Sequence, residues 1–445
     1  MDELTILELI EQKKYLQIKQ ILEEMNEVDI AEILDDLDLH TALLIFRMLP
    51  KDLAVEVFAH FSVEQQRDLI NAMTDKELNF IIDELFFDDM IDLLEEMPAN
   101  IVNKILINST SEERKLINQF LKYPPDSAGS IMTIEYVELR KTMTVGEAMA
   151  HIKEIGLSKE TVYTCYVTDK NRFLEGIISL RLLVVSDEDA LIEDLMESEV
   201  ISVGTHDDQE TVAQVFVKYG FLALPVVDRE HRLTGIITVD DIMDVMEQEA
   251  TEDFQKMAAM APSETPYLDT KIFDLAKHRI TWLLILMVSA TISGRIITNY
   301  ETLLSSAVIL TSFIPMLMDT GGNSGSQSST LIIRGLAVGE IEMKDALKVF
   351  WKEFRIAALV GVALATINFA KLLVFDKVSP TVAIVVSVTL VFTVVIAKVV
   401  GGMLPMIARI FKIDPAIMAG PLITTIADAF SLIIYFSLAS MILNI

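Results

Sequence analysis

Between residues 4 and 120 apolar side chains return every three or four positions, as in Ile30, Ile33, Leu34 and Leu37, which gathers them on one helical face. Breaks fall about every 15–20 residues and carry helix-start signals: Pro50-Lys51-Asp52, Ser62-Val63-Glu64-Gln65 and Thr74-Asp75-Lys76-Glu77. The latter two resemble capping boxes, in which a hydroxyl and an acid or amide satisfy each other's backbone donors. Short amphipathic helices repeated in this way predict a small α-solenoid over residues 1–122, because each hairpin buries its apolar face only against the next.

Past residue 123 the pattern changes and the sequence repeats itself. One copy runs Ser130-Ile-Met-Thr133, Thr144-Val-Gly-Glu-Ala148, Tyr166-Val-Thr-Asp169 and Leu174-Glu-Gly-Ile-Ile-Ser179. The other runs Asp194-Leu-Met-Glu197, Gln209-Glu-Thr-Val-Ala213, Pro225-Val-Val-Asp228 and Leu233-Thr-Gly-Ile-Ile-Thr238. Each predicts strand, helix, strand, Asp-containing turn, strand, helix. Two such copies in register, about 123–193 and 194–246, resemble the cystathionine β-synthase (CBS) family. That resemblance implies a tandem α/β pair that senses a ligand and does not catalyse.

An acidic stretch, Glu247-Gln-Glu-Ala-Thr-Glu-Asp253, predicts a helix over 247–270 that links this pair to the apolar remainder of the chain, with Pro262 and Pro266 just before it. Five apolar segments come next, at about 280–298, 303–318 with an extension through 331–338, 356–375, 381–407 and 416–445. Each approaches the length needed to cross a bilayer core of about 30 Å. Lys271, Lys277 and Arg279 precede the first segment, Arg334 through Arg355 lie between the second and third, and Arg409 and Lys412 lie between the fourth and fifth. Lys398 falls inside the fourth segment and does not count towards either side. The positive-inside rule then puts the N-terminal half in the cytoplasm and the C-terminus outside a cell membrane. The acidic N-terminus reads as neither a signal peptide nor a lipidation motif.

Charge divides the chain at the same place. Residues 271–445 hold 14 Lys+Arg and 10 Asp+Glu, which leaves 22 and 56 of the chain totals of 36 and 66 for residues 1–270, a net of −34. So acidic a surface repels phosphate backbones, which speaks against nucleic acid as a partner, and attracts divalent cations. One cysteine, Cys165, and six scattered histidines leave no zinc-type motif, so any metal here takes oxygen ligands, as Mg²⁺ or Ca²⁺ does.

Two places carry chemistry inside the apolar part. Asp428 sits mid-segment in Pro421-Leu-Ile-Thr-Thr-Ile-Ala-Asp428, with Thr424 and Thr425 one turn earlier. A carboxylate at that depth must face a wet or ion-filled cavity. Mg²⁺ keeps most of its waters, so one carboxylate per helix suits it. Residues 319–329, Asp-Thr-Gly-Gly-Asn-Ser-Gly-Ser-Gln-Ser-Ser, predict irregular backbone lining a cavity, through Gly321, Gly322, Asn323, Ser324 and Gln327.

The order of parts, with Gly321 to Gln327, Asp414-Pro415 and Pro421 to Asp428, resembles the MgtE-type magnesium channel family over essentially the whole chain. The resemblance implies a homodimer in the lipid bilayer with its pore on the dimer axis. Asp428 would bind hydrated Mg²⁺, and Asp414 would sit near the cytoplasmic mouth. It also implies cytoplasmic Mg²⁺ sites that hold the closed state: Glu56, Asp88 and Asp92 in the N domain, and Asp208, Glu210, Asp241, Asp244, Glu249, Glu252 and Asp253 beyond it. Three departures stand out. Gly220 and Gly420 replace an Asp and an Asn of the family pattern. Leu182 stands where CBS repeats often offer an Asp to a nucleotide ribose, which weakens ATP as a ligand. The expected protein is therefore multi-domain: an α-helical solenoid-like N domain, a tandem CBS pair, a connecting helix and an all-α pore domain of five helices over 271–445. The expected function is Mg²⁺ import gated by cytoplasmic Mg²⁺, so that Mg²⁺ is substrate and regulator. An ion-coupled secondary transporter of Mg²⁺ or Co²⁺ is the alternative. No Walker A, H-E-x-x-H or G-x-S-x-G motif points to an enzyme.

Overall fold

The computed structural model describes residues 6–444 apart from Leu7, Glu11, 264–266, Asp269 and Ala419. Most of the acidic N-terminus, and Pro266, lie outside the described residues. The chain divides into two compact units, Met1–Met243 and Asp244–Ile445.

In the first unit nine described helices of eight to ten residues follow one another: α1 Tyr15–Leu22, α2 Glu27–Asp35, α3 Leu39–Phe46, α4 Lys51–Ala59, α5 Val63–Ala72, α6 Asp75–Glu84, α7 Phe87–Glu96, α8 Ala99–Asn108 and α9 Ser111–Phe120. Their starts follow the expected chemistry. Ser62 Oγ accepts from the Gln65 amide, and Thr74 with Glu77 forms a full capping box, as does Thr110 with Glu113. Helices packing on those two places further along, such as α2 on α4 and α4 on α6, make the expected solenoid. Ile30, Leu34, Ile45, Phe58 and Leu69 fill it and are fully buried.

Both CBS repeats are present. The first comprises β1 (Tyr136–Leu139), α10 (Val145–Ile155), β2 (Thr161–Thr168), β3 (Leu174–Ser179) and α11 (Leu180–Val185). The second has β4 (Val203–Gly204), α12 (Gln209–Tyr219), β5 (Ala223–Val227), β6 (Leu233–Thr238) and α13 (Val239–Met257). In each, the first strand is parallel to the second and the second antiparallel to the third. The two aspartate turns match as well. Asp169 Oδ1 accepts from the amides of Asn171 and Phe173, and Asp228 Oδ1 from those of Glu230 and Arg232. Each repeat also lends its leading segment to the other: Thr133 exchanges both backbone hydrogen bonds with Ile236, and Glu197 does so with Ile177. A Cβ on Gly235 would meet Met132 Sδ at 2.9 Å, and one on Gly176 would meet Met196 Sδ at 2.9 Å, so both crossings need glycine. Gly220 has φ +67 and ends α12 in the left-handed conformation, a helix-stop that an aspartate fills less easily.

The connecting helix differs from expectation. It is α13, which continues the second repeat without a break and stops at Met257 instead of starting at 247 and reaching 270. No glycine or proline interrupts Val239–Met257, so helical hydrogen bonding simply propagates.

The second unit carries α14 (Ile272–Asn299), α15 (Glu301–Ser306), α16 (Ile314–Ala337), α17 (Ala346–Val374), α18 (Pro380–Ile410) and α19 (Gly420–Leu443). Among the described residues four helical stretches are long and apolar enough to span a membrane: Ile272–Asn299, Met343–Val374, Pro380–Ile410 and Pro415–Leu443. The expected count of five is thus not reached by composition. α16 is 24 residues long but polar in its middle. The expectation of irregular backbone over 319–329 is also overturned, because α16 runs straight through it. Its glycines serve close packing instead of a break. Gly321 lies against Thr393 and Ser431, Gly322 against Thr424, and Gly325 against Ile423 and the Ala397 carbonyl. α18 is the central helix and packs on α16, α17 and α19.

Candidate functional site

Helix α19 presents Asp428 half-buried, one turn beyond Thr424. Its Oδ1 is out of solvent and has no hydrogen-bond partner. An unpartnered buried carboxylate oxygen is expensive, and this one has its acceptor capacity free for a ligand. Asp319 of α16 is close enough to act on it electrostatically. Asp319, Asn323 and Gln327 are exposed and spaced by four, so they form one stripe along α16. Gly321, Gly322 and Ser324, also expected at the pathway, are buried on the opposite, packing face. Thr424 donates its hydroxyl to the Gly420 carbonyl at 2.9 Å and packs on Gly322.

The C-terminal end of α13 meets the start of α19 within this unit. Lys256 Nζ lies 2.5 Å from Asp414 Oδ2 and 2.6 Å from Glu252 Oε1. Asp414 Oδ1 meanwhile accepts from the Ala416 amide at 2.8 Å. Asp253 is pushed up to about 6 by burial first and then by Asp414, with Lys256 opposing. Met257 packs on Ile333 and Ala416. Gly420 has φ +23, and its missing Cβ would stand 3.0 Å from the Met257 carbonyl oxygen, so the family's Asn would crowd the helix end here. Of the acids expected on α13, Glu252 and Asp253 join Asp414; Asp244 is exposed on the same helix and Glu249 is half-buried.

In the first unit the fold gathers a different subset. Asp88, 8% exposed, is raised well above its usual range by burial and then by Asp241, Asp89 and Glu160. Asp92 is raised by burial and then by Asp241. Glu160 is pushed to about 7 by burial, Asp241 and Asp240. Asp241 rises to about 6, with the Thr238 hydroxyl at 2.6 Å holding it back. These acids come from α7, the start of β2 and the start of α13. Among the described residues no three His, Cys, Asp or Glu side chains converge closely enough to hold a metal ion. Glu56 is exposed on α4. Asp208 caps α12, accepting from the Glu210 amide at 3.0 Å, and Glu210 accepts from Gln214.

Reading the sequence missed Asp89, Glu160 and Lys256 as members of these groups, because they meet their partners only through the tertiary fold. Asp319 opened the candidate stretch 319–329, but the i, i+4, i+8 stripe that it leads went unread.

Three family models match the chain: a divalent cation transporter model over residues 314–438, an MgtE intracellular N domain over 25–126 and a CBS domain over 192–248. The magnesium transporter MgtE of Thermus thermophilus is 36% identical, covering 96% of this chain and 95% of its own. That of Bacillus subtilis is 33% identical, covering 96% of each. A crystal structure of the soluble part of a magnesium transporter, 33% identical, covers 56% of this chain and 98% of its own with a TM-score of 0.53. A cytosolic domain of the Mg²⁺ channel MgtE in complex with ATP, also 33% identical, covers 55% of this chain and 100% of its own with a TM-score of 0.52. Helical N domain, CBS pair and helical membrane part thus match these relatives in order and extent, and the chain belongs to the MgtE family of magnesium transporters.

Proposed function

We propose that this protein passes Mg²⁺ across a cell membrane along a pathway between α16 and α19, with Asp428 as its principal ion ligand. The observation that carries the reading is the unpartnered Oδ1 of Asp428, on the helix that packs against the glycine face of α16, the helix that also carries the exposed Asp319–Asn323–Gln327 stripe. A hydrated Mg²⁺ needs acceptors for its water protons, and carboxylates supply them without dehydrating the ion. One chain supplies few such groups, so a homodimer that doubles them completes the pathway. Asp414 and the end of α13 lie at its cytoplasmic mouth.

Basic residues support five crossings with the N-terminal half inside. They cluster at the start of α14, the end of α16, the start of α17 and the end of α18. These fall on one side only if α16 also crosses. Cytoplasmic Mg²⁺, bridging the acids around Asp88, Asp92 and Asp241 and those at Glu252, Asp253 and Asp414, would hold a closed state. ATP is the weaker part of this reading: Leu182 puts a hydrocarbon where the first repeat would offer the ribose an acid, whereas Asp241 stands at the matching position of the second.

The deciding measurement is Mg²⁺ flux into liposomes for Asp428→Asn. A folded variant should lose most of its flux, and parental flux and selectivity would refute the assignment.

A further inference from the structure

Helix α16 is gripped from inside the bundle by two ionisable side chains that the reading above does not use. Lys398 of α18 is 5% exposed. Its Nζ lies 3.2 Å from Gln327 Oε1 and 3.5 Å from the Ser324 carbonyl oxygen. Among the described residues it forms no ion pair within 4.0 Å. One turn along, Glu353 of α17 is 6% exposed and accepts a 2.5 Å bond from Ser328 Oγ. A lysine so far inside a membrane bundle is costly and is retained where it has a function.

Lysine is a donor only. It therefore fixes the Gln327 carboxamide with its oxygen turned inward. Gln327 belongs to the exposed stripe, yet its one oxygen is drawn onto the Lys398 ammonium, whose positive charge beside it disfavours a second, cationic partner. An oxygen ligand suits ions that shed water readily, such as Na⁺ or Ca²⁺, more than Mg²⁺, which dehydrates reluctantly. We propose that Lys398 is a positioning residue for ion selection: it withdraws the Gln327 oxygen from the pathway and holds the Ser324 turn of α16, leaving the carboxylates to meet the hydrated ion. The proposal rests on the pathway reading above.

The test compares purified full-length protein in liposomes for Lys398→Met, Lys398→Arg, Gln327→Leu and Lys398→Met in the Gln327→Leu background. Permeability of Ca²⁺ and Na⁺ relative to Mg²⁺ is read from reversal potentials. Lys398→Met should admit Ca²⁺ and Na⁺ about tenfold better relative to Mg²⁺, the scale of one lost charge-assisted hydrogen bond. Lys398→Arg should stay within about twofold of the parent, since it keeps a donor there. In the Gln327→Leu background, Lys398→Met should relax selectivity no further. A monodisperse Lys398→Met protein with parental ratios overturns the proposal. If that variant does not fold, Lys398→Gln decides: neutral and shorter, it cannot hold the Gln327 oxygen, so it should relax discrimination against Ca²⁺ as well, and a monodisperse Lys398→Gln protein with parental ratios overturns the proposal. Asp428→Asn separates the two readings. If it conducts as the parent does, the pathway reading fails and this one with it; if it is blocked while Lys398→Met is parental, only the lysine proposal fails.

Discussion

Without Mg²⁺, the acidic cluster of the first unit should make stability fall as pH rises. Glu160 titrates near 7 and Asp241 near 6, against 4.5 and 3.8 for the free groups. Both carboxyls hold their protons more tightly folded than unfolded. The folded state is therefore favoured most below about pH 4, and that advantage drains away as pH climbs to about 6–7. At 1.36 kcal/mol per pH unit each shift corresponds to about 3 kcal/mol. The two groups interact and are only half-buried, so together they contribute about 2–4 kcal/mol. For a unit of this size that is a change of about 5–10 °C in Tm. Circular dichroism melts of the full chain in detergent with EDTA, from pH 5.5 to 8, should show the transition of the first unit falling accordingly. Millimolar Mg²⁺ should restore it at pH 8 and do little at pH 5.5, because a divalent ion replaces the protons that the acids have lost. Glu160→Gln should flatten the slope. A Tm that ignores pH in EDTA, or a Mg²⁺ effect equal at both ends, would refute the reasoning.

Replacing Lys256 by Met strips the cation from Glu252, Asp253 and Asp414, so protease should cut the 258–270 stretch about tenfold faster in EDTA, with Mg²⁺ restoring protection; unchanged cleavage would count against the brace. Neutralising Asp244, Glu252 and Asp253 together should shift the Mg²⁺ level at which flux stops, measured in matched Mg²⁺ series, while leaving selectivity alone. Gly401→Ala pushes a methyl into the Gly325 carbonyl and should cost the membrane unit about 1–3 kcal/mol, whereas Gly294→Ala, with nothing within 4 Å, should melt like the parent. Single cysteines at Lys377 and Asn444 in a Cys165→Ser background should label from outside and those at Lys344 and Lys412 from inside; Asn444 labelling from the cytoplasm would remove α16 as a crossing.

The repeats were legible because each is a local pattern written twice, down to the turn aspartates Asp169 and Asp228. Helix starts at Ser62 and Thr74 were legible for the same reason, since a cap is satisfied within three residues. Asp428 stood out by contrast with its apolar surroundings. What stayed hidden depends on partners far along the chain. The glycines of α16 read as a break because their neighbours, Thr393, Thr424 and Ile423, lie on other helices. Lys398 bore on orientation only as a residue to discount, since nothing local shows that Gln327 waits 71 positions away. Glu160 and Lys256 carry no local signal, and only α7 and Asp414 beside them single them out.

The crossed leading segments of the CBS pair shorten a mechanical path. Past α9 the chain is zipped to the second repeat through Ala128 and Gly129, which bond to the carbonyls of Asp207 and Thr205. It is then stitched both ways to Ile236 by Thr133, three residues ahead of the first residue of α13. A tug on the helical domain therefore reaches the root of α13 over a few rigid hydrogen bonds, without first deforming the sheet of the repeat that lies between them in sequence. The first repeat hangs beside that path and is not in series with it.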